Sequence, residues 1–187
     1  MNHRTARWAS GFVLSAALTQ AVAGCPADPG APGDALVSLV VDAEAPVRIT
    51  AGALALLAER RLTQRRTVSS AAASTAAAVE QSITYTGVLL RDLIAGAPGF
   101  AQRGRAQRFM VFEAVAADDY RAVFSWGELF NGEGGDQALV VRTQDGQPLN
   151  DAQGPLALRA LGDFRPGPRH VRNLCTIVVH TLGPASR

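Results

Sequence analysis

The segment "QALVVRTQDGQPLN", residues 137–150, constrains the fold more than any other. An apolar, β-branched run meets Asp145-Gly146, a dipeptide suited to the left-handed positions of a tight turn, and a short exit follows. A second hairpin stands upstream. "RFMVFEAVA" (108–116) reads as a buried strand, "DDY" as the turn, and "RAVFSWGEL" (121–129) as the return strand with a short helical end. "ALVSLVVDA" (35–43), "GPLALRAL" and "VRNLCTIVVHTL" add further strands, and "NGEGGD" is a loop.

Helices are expected only in the early part. "TAGALALLAERRL" (50–62) has Thr50 as an N-cap and arginines in its last turn, where they suit the helix dipole. "GVLLRDLIAGA" (87–97) reads as a short amphipathic helix with Val88, Leu89, Leu93 and Ile94 inward, Arg91 and Asp92 outward, and Gly96 as the stop. Between them, alanine-rich sequence is expected to be extended near 66–71 and 82–86. The fold class is therefore α+β, a mixed sheet with a few short helices. At 187 residues and 48% hydrophobic, with no internal repeat, the chain suits one domain with a real core, at 35–187.

The first two dozen residues have the order of a secretory signal: Arg4 and Arg7, an apolar run from Trp8 to about Ala23, then small residues. Ala21-Val22-Ala23 is an A-x-A cleavage site. Val22-Ala23-Gly24-Cys25 also resembles the lipobox before a lipidated cysteine, and "PADPGAPGD" resembles a flexible tether over 25–34. Both readings stand. The expectation is an exported protein, periplasmic or envelope-anchored, that meets a membrane only through a lipid on Cys25.

All 18 basic residues are arginine, so lysine Schiff-base chemistry and a phosphate-loop lysine are excluded. Without residues 1–24, which hold Arg4 and Arg7 and no acid, 16 arginines face 16 carboxylates. A neutral domain disfavours a nucleic-acid partner and makes any anion site local. If Cys25 is lipidated or tethered, Cys175 has no partner and no disulfide framework is expected. Two cysteines and two histidines after residue 24 lack the spacing of a structural zinc site. Dinucleotide, zinc-protease and nucleophile-elbow motifs are absent. Asp118 and Asp119 read as solvated turn residues, His180 as a satisfied structural histidine, and Cys175 as a small buried hydrophobe.

Four segments in order, "YTGVLLRDLI", "VFEAVAADDYRAVFSWGEL", "QALVVRTQDGQPLNDAQGPLALRA" and "GPRHVRNLCTIVV", resemble the oxidoreductase molybdopterin-binding domain of the sulfite oxidase family. The resemblance covers about residues 84–181 and is closest to short exported members made of this domain alone. The family's aromatic-x-Gly-x-x-Leu start is Tyr85, Gly87 and Leu90. Its Asp-Gly-Tyr hairpin is Asp118, Asp119 and Tyr120, with aspartate for glycine. Its Asp-Gly-x-Pro-Leu turn is Asp145, Gly146, Pro148 and Leu149, and its Gly-Pro step is Gly154 and Pro155. Where the family places an arginine soon after that step, Ala157 stands here, with Arg159 two residues later.

The resemblance implies a sulfite-oxidase-like fold, molybdopterin as cofactor, and a pterin-phosphate site. The family's Gly-Ala-Arg-x-Val-Lys segment, which helps hold the pterin and its phosphate, is Gly167, Pro168, Arg169, His170, Val171 and Arg172. Arg169, His170 and Arg172 are thus the expected cofactor-binding residues, and an arginine fork suits a phosphate or another small oxyanion. The cysteine that ligates molybdenum in catalytic members has no counterpart in "TVSSAAASTAAAVEQSIT", and serine is a poor substitute for a soft thiolate. No catalytic and no metal-ligating residue is therefore assigned. Alternatives are a non-catalytic envelope module binding a small anion or a protein partner, and arginines that only solvate a sheet edge.

Overall fold

The structure, a computed structural model, describes residues 35–42, 44–69, 78–165 and 167–183. The expected signal, tether and lipidation site at Cys25 lie outside the described residues, as does much of the alanine-rich stretch.

Strand β1 (Ala35–Val41) turns back into β2 (Val47–Thr50), which leads directly into helix α1 (Ala51–Ala55). Thr50 caps α1 as expected, its hydroxyl accepting from the Ala53 N–H at 3.2 Å. The helix expected over 50–62 ends there. From Glu59 the chain is extended as β3 (Glu59–Ser69), paired at eleven positions with β4 (Ala78–Leu89). Residues 59–66 carry no apolar stripe at helical spacing. Leu62 alone among them packs on an apolar cluster, so the cross-strand ladder outweighs a mild helix preference.

The same competition moves the second helix. Strand β4 runs through Leu89, so α2 covers only Leu90–Ala95, and Val88 and Leu89 join different apolar clusters on opposite sheet faces. After a 3-10 segment at Ala101–Phe109 come β5 (Met110–Ala116), β6 (Arg121–Ser125), α3 (Trp126–Phe130) and a 3-10 turn at Glu133–Asp136. Strands β7 (Ala138–Gln144), β8 (Gln147–Pro148), β9 (Ala157–Ala160), β10 (His170–Val171) and β11 (Leu174–Thr181) complete the described chain.

Two sheets form. One has the order β2-β1-β11-β5-β6, with β1 and β11 parallel; the other has the order β10-β9-β7-β4-β3, with β8 beside β7. Both predicted hairpins are present. Asp145 and Gly146, at φ 50° and 78°, join β7 to β8, and Asp145 Oδ1 accepts from the Thr84 N–H at 2.8 Å.

Period-two alternation divides the second sheet's residues between two cores. Val88, Ala138, Val140, Leu158 and Val171 meet residues such as Leu39, Phe112, Phe124 and Ile177 of the first sheet, with Leu54, Leu93, Ile94 and Leu129 from the helices. On the other face Ile83, Tyr85, Leu89, Leu139 and Val141 form a smaller cluster, with Leu62, Leu149 and Leu161 packed against it. Each fully buried aliphatic side chain contributes roughly 1.5–3 kcal/mol. Gly87 lies at the register shift in the β4–β7 pairing, where a Cβ would sit 1.9 Å from the Val140 carbonyl oxygen. Gly154, at φ 75°, meets Asn173 in the same way, at 2.2 Å from Oδ1.

Candidate anion site

The basic turn lies between β9 and β10, whose pairing sets His170 opposite Arg159 and Val171 opposite Leu158. Leu158 and Val171 belong to the large core, so Arg159 and His170 belong to the opposite, smaller-cluster face. Gln64 and Arg66 of β3 share the parity of Leu62, which packs on that cluster.

Arg169, expected to fork onto a phosphate, forks onto carboxylates of its own chain. Its Nε donates to Asp163 Oδ2 at 2.8 Å, and its two terminal nitrogens pair with Asp163 and Glu128. The guanidinium also lies 4.7 Å from the ring centre of Phe124. The hydrogen bonds that Arg169 donates to Asp163 first, and then to Glu128, raise its pKa further despite partial burial. Tyr120 reinforces the turn, its hydroxyl donating to the Pro168 carbonyl at 2.5 Å. Arg169 therefore fastens the turn to α3 and β6.

His170 and Arg172 differ from it. His170 is partly buried, and among the described residues its Nε2 has no hydrogen-bond partner. Burial, and then the charges of Arg159 and Arg172, pull its pKa down to about 4, so the ring is neutral at pH 7. Arg172 is exposed and makes no ion pair among the described residues.

Arg159 has no role in the set expected from the sequence, yet its surroundings are the most unusual of the cluster. It is 9% exposed, its guanidinium carbon lies 4.5 Å from the Tyr85 ring centre, and its Nε has no acceptor among the described residues. Among the described residues it has no carboxylate partner. Burial lowers its pKa; Tyr85 acts in the opposite sense, and Arg66 and Arg172 add to the burial. The available sequence signal is a lone charge inside the apolar run "LALRAL". Beneath it Tyr85 is fully buried, its hydroxyl likewise without a partner among the described residues, and burial first raises its pKa.

A small cavity of about 10 Å³ is bounded by Gln64, Arg159, Leu161, Gly167 and His170, among others. Gln64 and Leu161 are also walls of a groove of about 380 Å³, lined further by Arg65, Arg66 and the fully exposed Phe164. Of the seven buried side-chain N and O atoms without partners among the described residues, three belong to residues that line the small cavity: Gln64 Oε1, Arg159 Nε and His170 Nε2.

Among the described residues no thiolate is available to ligate molybdenum, because Cys175 is disulfide-bonded. Among the described residues no group of three or more His, Cys, Asp or Glu could hold a metal ion. Cys175, 4% exposed in β11, is buried as expected but disulfide-bonded, against the expectation, conditional on a lipidated or tethered Cys25, that it has no partner. His180 is exposed, and its ring is satisfied as expected, with Nε2 3.3 Å from Glu113 Oε2; Glu113 also pairs with Arg121 at 3.2 Å. Asp118 and Asp119 are turn residues as expected. Asp118 Oδ1 accepts from the Tyr120 N–H at 3.1 Å, and Asp119 occupies φ 65°.

No protein-family model and no curated protein matches the sequence. A solved structure does. The sulfane dehydrogenase SoxCD from Paracoccus pantotrophus superposes with a TM-score of 0.54 at 16% identity over 81% of this chain. The fold resembles that of part of the SoxCD chain. The match spans 39% of the SoxCD chain. At that identity the likeness is one of fold, and the mixed α+β architecture agrees with the expected class.

Proposed function

We propose that the chain is an exported, oxidoreductase-like domain that binds a phosphate-bearing ligand, pterin phosphate first among the candidates, without a molybdenum centre of its own. The observation that carries the reading is uncompensated positive charge at the β9–β10 edge. Arg172 and Arg159 stand beside a neutral His170, and no carboxylate pairs with either arginine among the described residues. A dianionic phosphate supplies the missing charge and acceptors at once. Arg169 leaves the binding set, since Asp163 and Glu128 already occupy its fork. The disulfide at Cys175 favours an oxidising compartment, in keeping with export.

The test is purification from a host that makes molybdopterin, followed by metal analysis and by fluorescence of released pterin. Pterin or phosphate binding without stoichiometric molybdenum is expected. Stoichiometric molybdenum in the folded protein overturns the metal-free reading. Failure of the wild type to bind both pterin and inorganic phosphate overturns the whole proposal.

A further inference from the structure

Resting on that anion-binding reading, we propose that Arg159, His170 and Gln64 form a receptor for a phosphomonoester: one phosphate oxygen enters the small cavity and the organic part occupies the adjoining groove. An arginine presents five N–H donors, and a cation–π contact satisfies none of them. Buried side chains that lack acceptors cost stability unless an acceptor arrives. Arg159 is nine-tenths buried, and its Nε, the His170 Nε2 and the Gln64 amide oxygen, all without partners among the described residues, belong to three residues that line one small space.

The size of that space limits what enters. About 10 Å³ is room for a single oxygen, whether of water or of an anion. The body of the ligand must lie outside it, and the groove sharing Gln64 and Leu161 has about 380 Å³, enough for a small organic group. The groove is lined by Arg65, Arg66 and Phe164 and by the Asp163 carboxylate, which Arg169 already pairs, so it suits a compact body bearing a charged head. Charge selects a dianion. Arg159 and Arg172 make no ion pair among the described residues, and Arg66 bonds only to the neutral Gln81 side chain, at 2.7 and 3.0 Å. With the Gln64 amide turned, its NH₂ becomes a further donor to the same oxygen, and His170 donates through the tautomer protonated at Nε2.

Calorimetric titration with inorganic phosphate and with phenyl phosphate, on wild type, Arg159→Met, Arg159→Lys and Arg172→Ala, tests the inference. Phenyl phosphate is expected to bind more tightly than phosphate, because the groove holds its ring. Arg159→Met is expected to weaken both at least tenfold, and Arg159→Lys to recover part of the loss. Undiminished binding in a folded Arg159→Met protein, with loss in Arg172→Ala, overturns the receptor while leaving the surface anion site standing. Absence of any binding to wild type overturns the anion-binding reading itself. Should Arg159→Met fail to fold, the Arg159 Nε–Hε resonance of wild type supplies the readout. A shift of that resonance on adding phosphate supports the receptor. No shift at saturating phosphate means that only ordered water meets Arg159, and the inference falls.

Discussion

Arg159 and Arg169 lie ten residues apart and occupy opposite electrostatic situations. Arg169 is a bracket: two carboxylates and an aromatic face hold it, and through it the turn is held to α3 and β6. Replacing Arg169 by alanine leaves Asp163 and Glu128 facing each other without a cation. Denaturant melts are expected to show a loss of about 2 kcal/mol, with phosphate affinity changed less than threefold. A larger loss of affinity in a protein of normal stability returns Arg169 to the binding set.

His170 supplies a pH signature. Its folded pKa, about 4, lies below the ordinary imidazole value of 6.5, because burial and the neighbouring Arg159 and Arg172 oppose a third positive charge. The unfolded chain therefore binds a proton first as pH falls. Stability from this residue is intact above about 6.5 and is lost progressively toward pH 4. Urea melts at pH 7 and 4.5 should show this acid loss in wild type and a smaller one in His170→Gln; equal losses remove the assignment. An anion beside the ring reverses the balance of charge. Sulfate, a dianion throughout this range, is expected to bind more tightly as pH falls from 7 to 5.

Among the elements, the hairpins are legible in the sequence because their turn chemistry is local. Asp145-Gly146 stands at two positive φ angles, and no distant contact is needed to choose them. The Asp118–Tyr120 turn is legible for the same reason, including its departure from the family pattern. Asp119 sits at φ 65°, where the family's glycine carries no penalty and aspartate a modest one. Asp119→Gly is expected to raise stability by about 0.5–1 kcal/mol, read as a shift in the denaturant midpoint. Gly87 behaves in the opposite sense. Its alanine variant drives a Cβ into the Val140 carbonyl, so a loss of roughly 3 kcal/mol is expected in the same melts. The helix misplaced over 50–62 and the late start of α2 share one cause. Both segments meet β-ladder partners far away in sequence, a term that local propensity does not contain.

Across the whole molecule, the disulfide at Cys175 bears on the chain's destination. The sequence holds two cysteines, and a sulfur in a disulfide carries no thioether lipid. The lipidation reading of Cys25 and a bridge within the chain therefore exclude each other. Intact mass before and after reduction separates them. Reductant is expected to lower stability by roughly 2–4 kcal/mol, whereas unchanged stability together with an acyl mass would establish the lipoprotein.

From residue order alone follow the strand-rich α+β class, both tight turns, and the equal count of 16 arginines and 16 carboxylates after residue 24 that makes an anion site a local matter. These rest on local chemistry and on counting. Which arginine of the basic region is satisfied and which is stranded required the packed chain. Asp163 and Glu128 reach Arg169 from two directions, while strand pairing buries Arg159 over Tyr85 beyond the reach of any carboxylate among the described residues. Charge compensation acts over a few ångströms in space. Neighbours in sequence disclose it only when they are also neighbours in the fold.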